Sequence, residues 1–70
     1  MKTFEELNVG TYFIWSYTAE AARKLGWIGR KRSRGSYSIA AFDKQPGTIG
    51  RSFLVSKGEM ISEVIRVDNT

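Results

Sequence analysis

The chain contains neither cysteine nor histidine, and these two absences exclude most kinds of functional site at the start. Without cysteine there is no disulfide framework, thiolate nucleophile, iron–sulfur cluster or Cys-type zinc site. Without histidine, the commonest metal ligand and the side chain that usually transfers protons near neutral pH are missing too. We therefore expect this protein to use no metal ion and no cofactor.

Signatures of catalysis are also missing from the sequence. The seven serines have no histidine to activate them, and there is neither a Gly-x-Ser-x-Gly elbow nor a phosphate-binding loop. Asp43 and Glu59 are the carboxylates that fall in candidate turns, and they are too far apart in sequence to be recognised as an acid–base pair. We predict that the protein is not an enzyme.

Long hydrophobic runs are absent as well. No apolar run, such as Tyr12–Trp15, exceeds four residues, whereas a membrane span needs about 20. Glu5 and Glu6 stand where a secretory signal would be apolar. These features predict a cytoplasmic protein that does not enter a membrane. A chain of 70 residues has room for one small domain, so we expect residues 1–70 to fold as a unit.

Acidic residues are missing from a middle segment that is rich in basic ones. Residues 21–42 contain six arginines and lysines and no aspartate or glutamate, so this segment carries a charge of +6. The rest of the chain has five basic and seven acidic residues, which makes it −2, and the net charge of +4 therefore arises from the middle segment. Charge concentrated in this way attracts polyanions or an acidic partner.

Two short helices are predicted in the first half of the chain. Thr3 and Glu6 match a capping box, which favours a helical turn over residues 4–7. Residues 19–25 contain alanines, an acidic first turn and a basic last turn, and Gly26 follows as the glycine that commonly ends a helix. We therefore expect a two-turn helix over residues 19–25.

The remainder has the turns and alternation of short strands. Gly35 is expected to adopt the positive φ of a hairpin loop, and Pro46-Gly47 predicts a type II turn. The last segment, 60–67, also fits a helix face, but its β-branched residues favour a strand. The predicted strands cover residues 11–17, 27–31, 37–42, 48–55 and 60–67.

These elements predict a mainly β fold. Five short strands in a chain too short for a two-sheet sandwich point to a small, strongly bent barrel of the SH3-like or OB-like kind. The helix over residues 19–25 would connect the first two strands. The large aromatic residues would supply the core that so short a chain needs.

The opening of the chain resembles that of a known group of proteins. Residues 4–13 read Phe-Glu-Glu-Leu-x-Val-Gly-Thr-Tyr-Phe, with a leucine, a valine-glycine pair and a strand phenylalanine. Small SH3-like barrel proteins encoded by bacteria, phages and plasmids often begin in a similar way. The resemblance covers about ten residues, implies the same barrel fold, and implies no particular biochemistry, because this fold hosts many functions.

The strongest functional feature is the segment 29–36, which has four cations within five positions and an aromatic residue on either side of it. These six residues are Trp27, Arg30, Lys31, Arg32, Arg34 and Tyr37. Arginine offers paired donors to phosphate oxygens, and neighbouring aromatic rings can stack on bases. We predict a basic β-hairpin that binds DNA or RNA with weak sequence selectivity. Further phosphate contacts are expected from Arg23, Lys24 and Arg51.

Other interpretations remain open at this point. The basic segment could be no more than a solvated hairpin tip. It could instead meet an acidic surface of a host protein, as in a small phage or mobile-element protein that modulates its host, with aromatic anchors from residues 11–17. Residues 18–25 also resemble the first helix of a helix-turn-helix module. Self-association through the spare face of the first strand is a further hypothesis.

Overall fold

The computed structural model describes residues 2–67, which fold around one antiparallel sheet. The strands in this part of the chain are β1 (Lys2–Thr3), β2 (Tyr12–Trp15), β3 (Ile28–Ser33), β4 (Ser36–Ala41), β5 (Ser52–Leu54) and β6 (Glu63–Arg66). The α-helices are α1 (Ala19–Leu25) and α2 (Lys57–Met60). Three 3₁₀ helices cover Phe4–Glu6, Ser16–Thr18 and Pro46–Thr48.

The fold is mainly β, as predicted, but its sheet is open rather than closed into a barrel. Its strand order is β1-β6-β2-β3-β4-β5, and within residues 2–67 the two edge strands do not pair with each other. The predicted barrel is therefore wrong. Closure requires edge strands that are long enough to bend round and meet, whereas β1 has two residues and β5 has three.

Strand β5 is short because the chain before it forms other structure. The Thr48 hydroxyl and amide both donate to the Gln45 carbonyl, at 2.8 and 3.0 Å, and this holds a 3₁₀ helix in place of the type II turn expected at Pro46-Gly47. Gly50 then turns the chain with a φ of 91°. Only Ser52–Leu54 remains as strand from the range 48–55 predicted from the sequence.

The last strand begins later than predicted because a capping box precedes it. The Ser56 amide donates to the Glu59 carboxylate at 3.2 Å, and the Glu59 amide donates to the Ser56 hydroxyl at 3.3 Å. These reciprocal bonds start α2 and delay β6 to Glu63. Strand β6 then lies between β1 and β2.

Helix α1 occupies the range that the sequence predicts for it. Gly26 ends the helix in the left-handed conformation, with a φ of 67°, and its amide donates to carbonyls of the last turn. A side chain at this position would also collide with the Asp43 carboxylate. Since β3 follows α1, the described residues hold no second helix there, and the helix-turn-helix alternative is wrong.

The sheet is covered on both sides, and β2 is buried on both. One side, here called the core face, carries the main hydrophobic cluster of Phe4, Leu7, Phe13, Trp15 and Val64. The other side, the helix face, is covered at one end by α1, whose Ala19 and Ala22 pack on Ile14. Cross-strand pairs extend these faces to β3, because Phe13 lies opposite Gly29 and Tyr12 lies opposite Arg30.

Candidate nucleic-acid interface

The hairpin of β3 and β4 distributes its cations between the two faces of the sheet. Side chains alternate along a strand, so Lys31 lies on the core face whereas Arg30 and Arg32 lie on the helix face. Arg34 is in the turn between the strands, where Ser33 pairs with Ser36. Gly35 has no positive φ there, contrary to the sequence prediction. Four cations within five positions of the sequence therefore lie in three different environments.

Lys31 is buried, with 2% exposure. Its ammonium donates to the carbonyls of Phe4 at 2.8 Å, Leu7 at 2.9 Å and Glu5 at 3.3 Å. It also lies 4.8 Å from the centroid of the Phe4 ring. Burial lowers the pKa of Lys31, and the Glu5 carboxylate opposes that effect. Lys31 thus supports the N-terminal 3₁₀ helix, and its charge is not presented on the surface.

Arg30 is held against Tyr12, the residue opposite it on β2. The guanidinium carbon lies 5.5 Å from the centroid of the Tyr12 ring, a cation–π arrangement. The Arg30 Nε is buried and has no hydrogen-bond partner among the described residues. Packing against the ring fixes the planar guanidinium before any ligand arrives, which lowers the entropy lost on binding.

Arg30 and Arg32 line one groove on the helix face. The groove has a volume of about 230 Å³, and its other walls are Val9, Gly10 and Lys31. Gly10 has a φ of 94°, a conformation that favours glycine, and a Cβ built on it would be in ordinary van der Waals contact with a terminal nitrogen of Arg30, at 3.8 Å. Arg32 is exposed. The groove therefore combines one ordered arginine with one that is free to reach a ligand.

Arg34 extends from the tip of the hairpin. Its guanidinium lies 4.0 Å from the Glu5 carboxylate, and 87% of its side chain is exposed. An ion pair this exposed contributes little to stability and exchanges readily for another anion. The tip also carries Ser33 and Ser36, whose hydroxyl oxygens are 2.6 Å apart.

Trp27 and Tyr37 belong to the core. Both are half-buried and pack on the main cluster, with ring centroids 6.1 and 5.7 Å from that of Phe13. Burial raises the pKa of the Tyr37 hydroxyl, and the negative charge of Glu59 raises it further. These rings support the hairpin from the core face rather than standing free beside the arginines.

The cations expected to make further contacts are spread over the surface. Arg23 lines a second groove, of about 360 Å³, together with Trp27 and the end of β6. Lys24 is exposed and lies 3.8 Å from the Glu20 carboxylate. Arg51 is exposed beside β4, where its carbonyl accepts from the Ile39 amide at 3.0 Å. Among the predicted cations, Arg30, Lys31 and Arg32 line a single groove, but the Lys31 ammonium is bonded to carbonyls on the core face.

The sequence alone does not identify Tyr12, Val9 and Gly10 as neighbours of the arginines. They are brought to β3 by the pairing of Tyr12 with Arg30 and by the bond from the Gly10 amide to the Lys31 carbonyl, 2.7 Å long. Both contacts are long-range. The sequence signal for this neighbourhood was an aromatic residue, Tyr12, at the start of β2, with a glycine, Gly10, just before that strand.

Comparisons with known proteins give no relative: no protein family, curated protein or solved structure matches the chain. No helix within residues 2–67 is both long enough and apolar enough to cross a bilayer. In the same part of the chain, acidic side chains do not gather in threes at any point where a metal ion could be held.

Proposed function

We propose that this protein binds nucleic acid with weak sequence selectivity through the helix face of the β3–β4 hairpin. The observation that supports this most is the groove shared by Arg30 and Arg32. Arg34 adds an exposed guanidinium at the hairpin tip, 4.0 Å from the Glu5 carboxylate. None of these arginines is opposed by an acidic residue of its own hairpin, because residues 21–42 contain none.

The chemistry of the groove suits a phosphodiester. Guanidinium groups donate two parallel hydrogen bonds to phosphate oxygens and remain charged at any physiological pH. Arg30 is oriented by Tyr12, and its buried Nε has no partner among the described residues. A phosphate oxygen placed at the groove would meet donors from two side chains on one strand.

The same contacts provide little sequence discrimination. Contacts to phosphate position a protein on nucleic acid, whereas base edges carry the sequence information. Trp27 and Tyr37 are half-buried in the core, so they support the hairpin and do not serve as stacking platforms. Affinity then arises chiefly from release of counterions. Arg23, Lys24 and Arg51 would add charge at a distance from the groove.

The alternative, a phage or mobile-element protein that docks on a host protein, receives less support. Its expected anchors were the aromatic residues of the segment 11–17. Phe13 and Trp15 are 0% and 5% exposed, whereas Tyr17 is 66% exposed. One exposed aromatic side chain is a small anchor compared with the clusters found at the centres of protein interfaces.

Titration of fluorescently labelled duplex and single-stranded DNA and RNA at two salt concentrations tests the proposal. We expect binding at micromolar protein in low salt, weakened strongly by added salt. Arg32→Glu should reduce affinity at least tenfold. Lys57→Glu changes the net charge equally, on an exposed residue of α2, and should have a much smaller effect.

Two outcomes would contradict the proposal. The first is that none of the four nucleic acids binds the wild-type protein in low salt. The second is that Arg32→Glu and Lys57→Glu weaken binding equally, since the groove would then have no special role and only the net charge would matter.

A further inference from the structure

Strand β5 is an exposed edge with apolar side chains. All three of its residues are exposed, Phe53 to 41% and Leu54 to 88%. It pairs with β4 on one side and, within residues 2–67, with no strand on the other. Edge strands of soluble proteins are usually blunted by charged residues, proline or bulges. Residues 52–54 contain no charged residue and no proline.

Hydrogen bonds at both ends of β5 show which of its backbone groups are free. The Arg51 carbonyl accepts from β4 at 3.0 Å, and the Val55 amide donates to the β3–β4 turn at 2.8 Å. The backbone groups of alternate residues of an edge strand bond to the neighbouring strand. The amide and carbonyl of Phe53, which lies between Arg51 and Val55 in this alternation, therefore also point towards β4. The amide and carbonyl groups of Ser52 and Leu54 therefore point away from the sheet.

We propose that β5 pairs with β5 of a second copy of this chain, antiparallel about a two-fold axis at Phe53. In this register Ser52 of each copy lies opposite Leu54 of the other, and each such pair exchanges both of its outward N–H···O bonds. The two Phe53 residues form the central, non-hydrogen-bonded pair, in which cross-strand aromatic side chains come into contact.

The charges disfavour an alternative register. In the register centred on Phe53, Arg51 lies opposite the uncharged Val55 of the second copy. A register centred on Leu54 would instead bring Arg51 towards Lys57, the first residue of α2, and two like charges repel each other. The Phe53-centred pair therefore matches the outward donors and acceptors of both strands and keeps Arg51 away from Lys57.

A second copy suits this edge because a two-fold pair satisfies the exposed groups of both chains with the same surface. The side chains of Leu54 and Phe53 lie on opposite faces of the sheet, and pairing of the two β5 strands reduces the exposure of both. The other edge of the sheet, β1, includes Lys2, and a charged residue disfavours pairing at an edge. Association at one edge gives a closed dimer rather than a fibre.

The dimer has a consequence for the arginine grooves, although it does not depend on the proposed function. Pairing in the plane of the sheet keeps equivalent faces on the same side, so the helix faces of both copies would be continuous. Five strand spacings separate the two β3 strands, or roughly 24 Å at about 4.8 Å per strand. Two grooves on one surface would allow one nucleic acid to contact both copies.

Sedimentation equilibrium tests the dimer. We expect the wild-type protein to form dimers as its concentration approaches about 1 mM, the weak range expected of a small interface. Leu54→Lys places a charge on the free edge and should remain monomeric. Ile61→Lys is the matched control, since Ile61 is 68% exposed and lies outside β5, and it should dimerise like the wild type.

Introduced cysteines test the register, because the chain has no cysteine of its own. Cα atoms of a non-hydrogen-bonded pair are about 4.5 Å apart, within the range of a disulfide. Under mild oxidation Phe53→Cys should form a disulfide-linked dimer faster than Leu54→Cys. The proposal is overturned if the wild type stays monomeric, if Leu54→Lys dimerises as the wild type does, or if Leu54→Cys links faster than a folded Phe53→Cys.

Discussion

The ammonium of Lys31 donates to the carbonyl of Phe4 at 2.8 Å and lies 4.8 Å from the centroid of the same residue's ring. Its other two bonds reach the carbonyls of Glu5 and Leu7, so all three ammonium protons have acceptors. The Phe4 carbonyl also accepts from the Leu7 amide at 3.2 Å, whereas the Glu5 and Leu7 carbonyls lie at the end of the 3₁₀ helix, where backbone acceptors lack helical partners. One cation of the basic segment thus attaches the N-terminal helix to β3.

We predict that Lys31→Met lowers the free energy of unfolding by about 2 to 4 kcal/mol, because the carbonyls of Phe4, Glu5 and Leu7 each lose the ammonium as a donor. Methionine keeps the apolar stem of the side chain, so lost packing contributes little. Urea denaturation measures the change. Arg32→Met is the control: it removes an exposed cation from the other face and should alter stability by less than about 0.5 kcal/mol. Equal effects of the two substitutions would show that Lys31 has no structural role.

Two aromatic rings of the core pack directly against the backbone of Gly29. A Cβ at Gly29 would lie 2.9 Å from the Trp27 ring and 3.0 Å from the Phe13 ring. Overpacking of this kind costs about 1 to 3 kcal/mol, and we expect Gly29→Ala to lower the midpoint of thermal unfolding accordingly. Gly35→Ala is the matched control because a Cβ there meets no atom within 4 Å. A Gly29→Ala variant as stable as Gly35→Ala would contradict the packing described.

Tyr37 should make stability fall at alkaline pH. Burial raises the pKa of its hydroxyl above the ordinary value of 10.0, with a further contribution from Glu59. The native state then keeps a proton that the unfolded chain has lost, so this contribution to stability is complete below pH 10 and is lost as pH rises through the native pKa. Lys31 acts in the opposite direction, because burial lowers its pKa below the ordinary value of 10.5. The unfolded chain then binds a proton that the native state has lost, so this contribution makes stability rise with pH until the pH passes 10.5.

The contribution of Tyr37 can be isolated with a substitution. Tyr37→Phe should remove the loss of stability above pH 10 that is due to this hydroxyl, and urea denaturation between pH 8 and 11 would show it. Tyr17→Phe, at an exposed tyrosine, should leave that loss in place. If the free energy of unfolding of Tyr37→Phe varies with pH as that of the wild type does, the pKa of the Tyr37 hydroxyl is the same in the native and unfolded states, which contradicts the prediction.

Local sequence signals predicted the parts of the fold that depend on local chemistry. The alanine-rich segment ending at Gly26 gave α1, and the alternation on either side of Arg34 gave the β3–β4 hairpin. Whether the sheet closes into a barrel was not predictable in this way, since closure depends on the lengths of the two edge strands. Thr48 and Ser56 each bond to a residue three positions away, and these small motifs shortened β5 and delayed β6.

The candidate site shows the same division. The concentration of positive charge in residues 21–42 is visible in the sequence. Which cations reach the surface depends on the face of β3 that meets the core, and that face is set by the pairing of Gly29 with Phe13. A shift of one residue would have buried Arg30 and Arg32 and exposed Lys31. The basic segment is therefore recognisable from the sequence, whereas the face on which each of its cations lies is not.

The salt dependence of nucleic-acid binding tests the role of the arginine groove most directly. A plot of log Kobs against log salt has a slope of about −0.7 for each phosphate contacted on a single strand and about −0.9 on duplex DNA. We predict that Arg32→Ala reduces the steepness of this slope by about one phosphate contact, whereas Lys57→Ala leaves it within error of the wild type. A slope that Arg32→Ala does not change, or wild-type protein that binds no nucleic acid in low salt, would contradict a groove that binds phosphate.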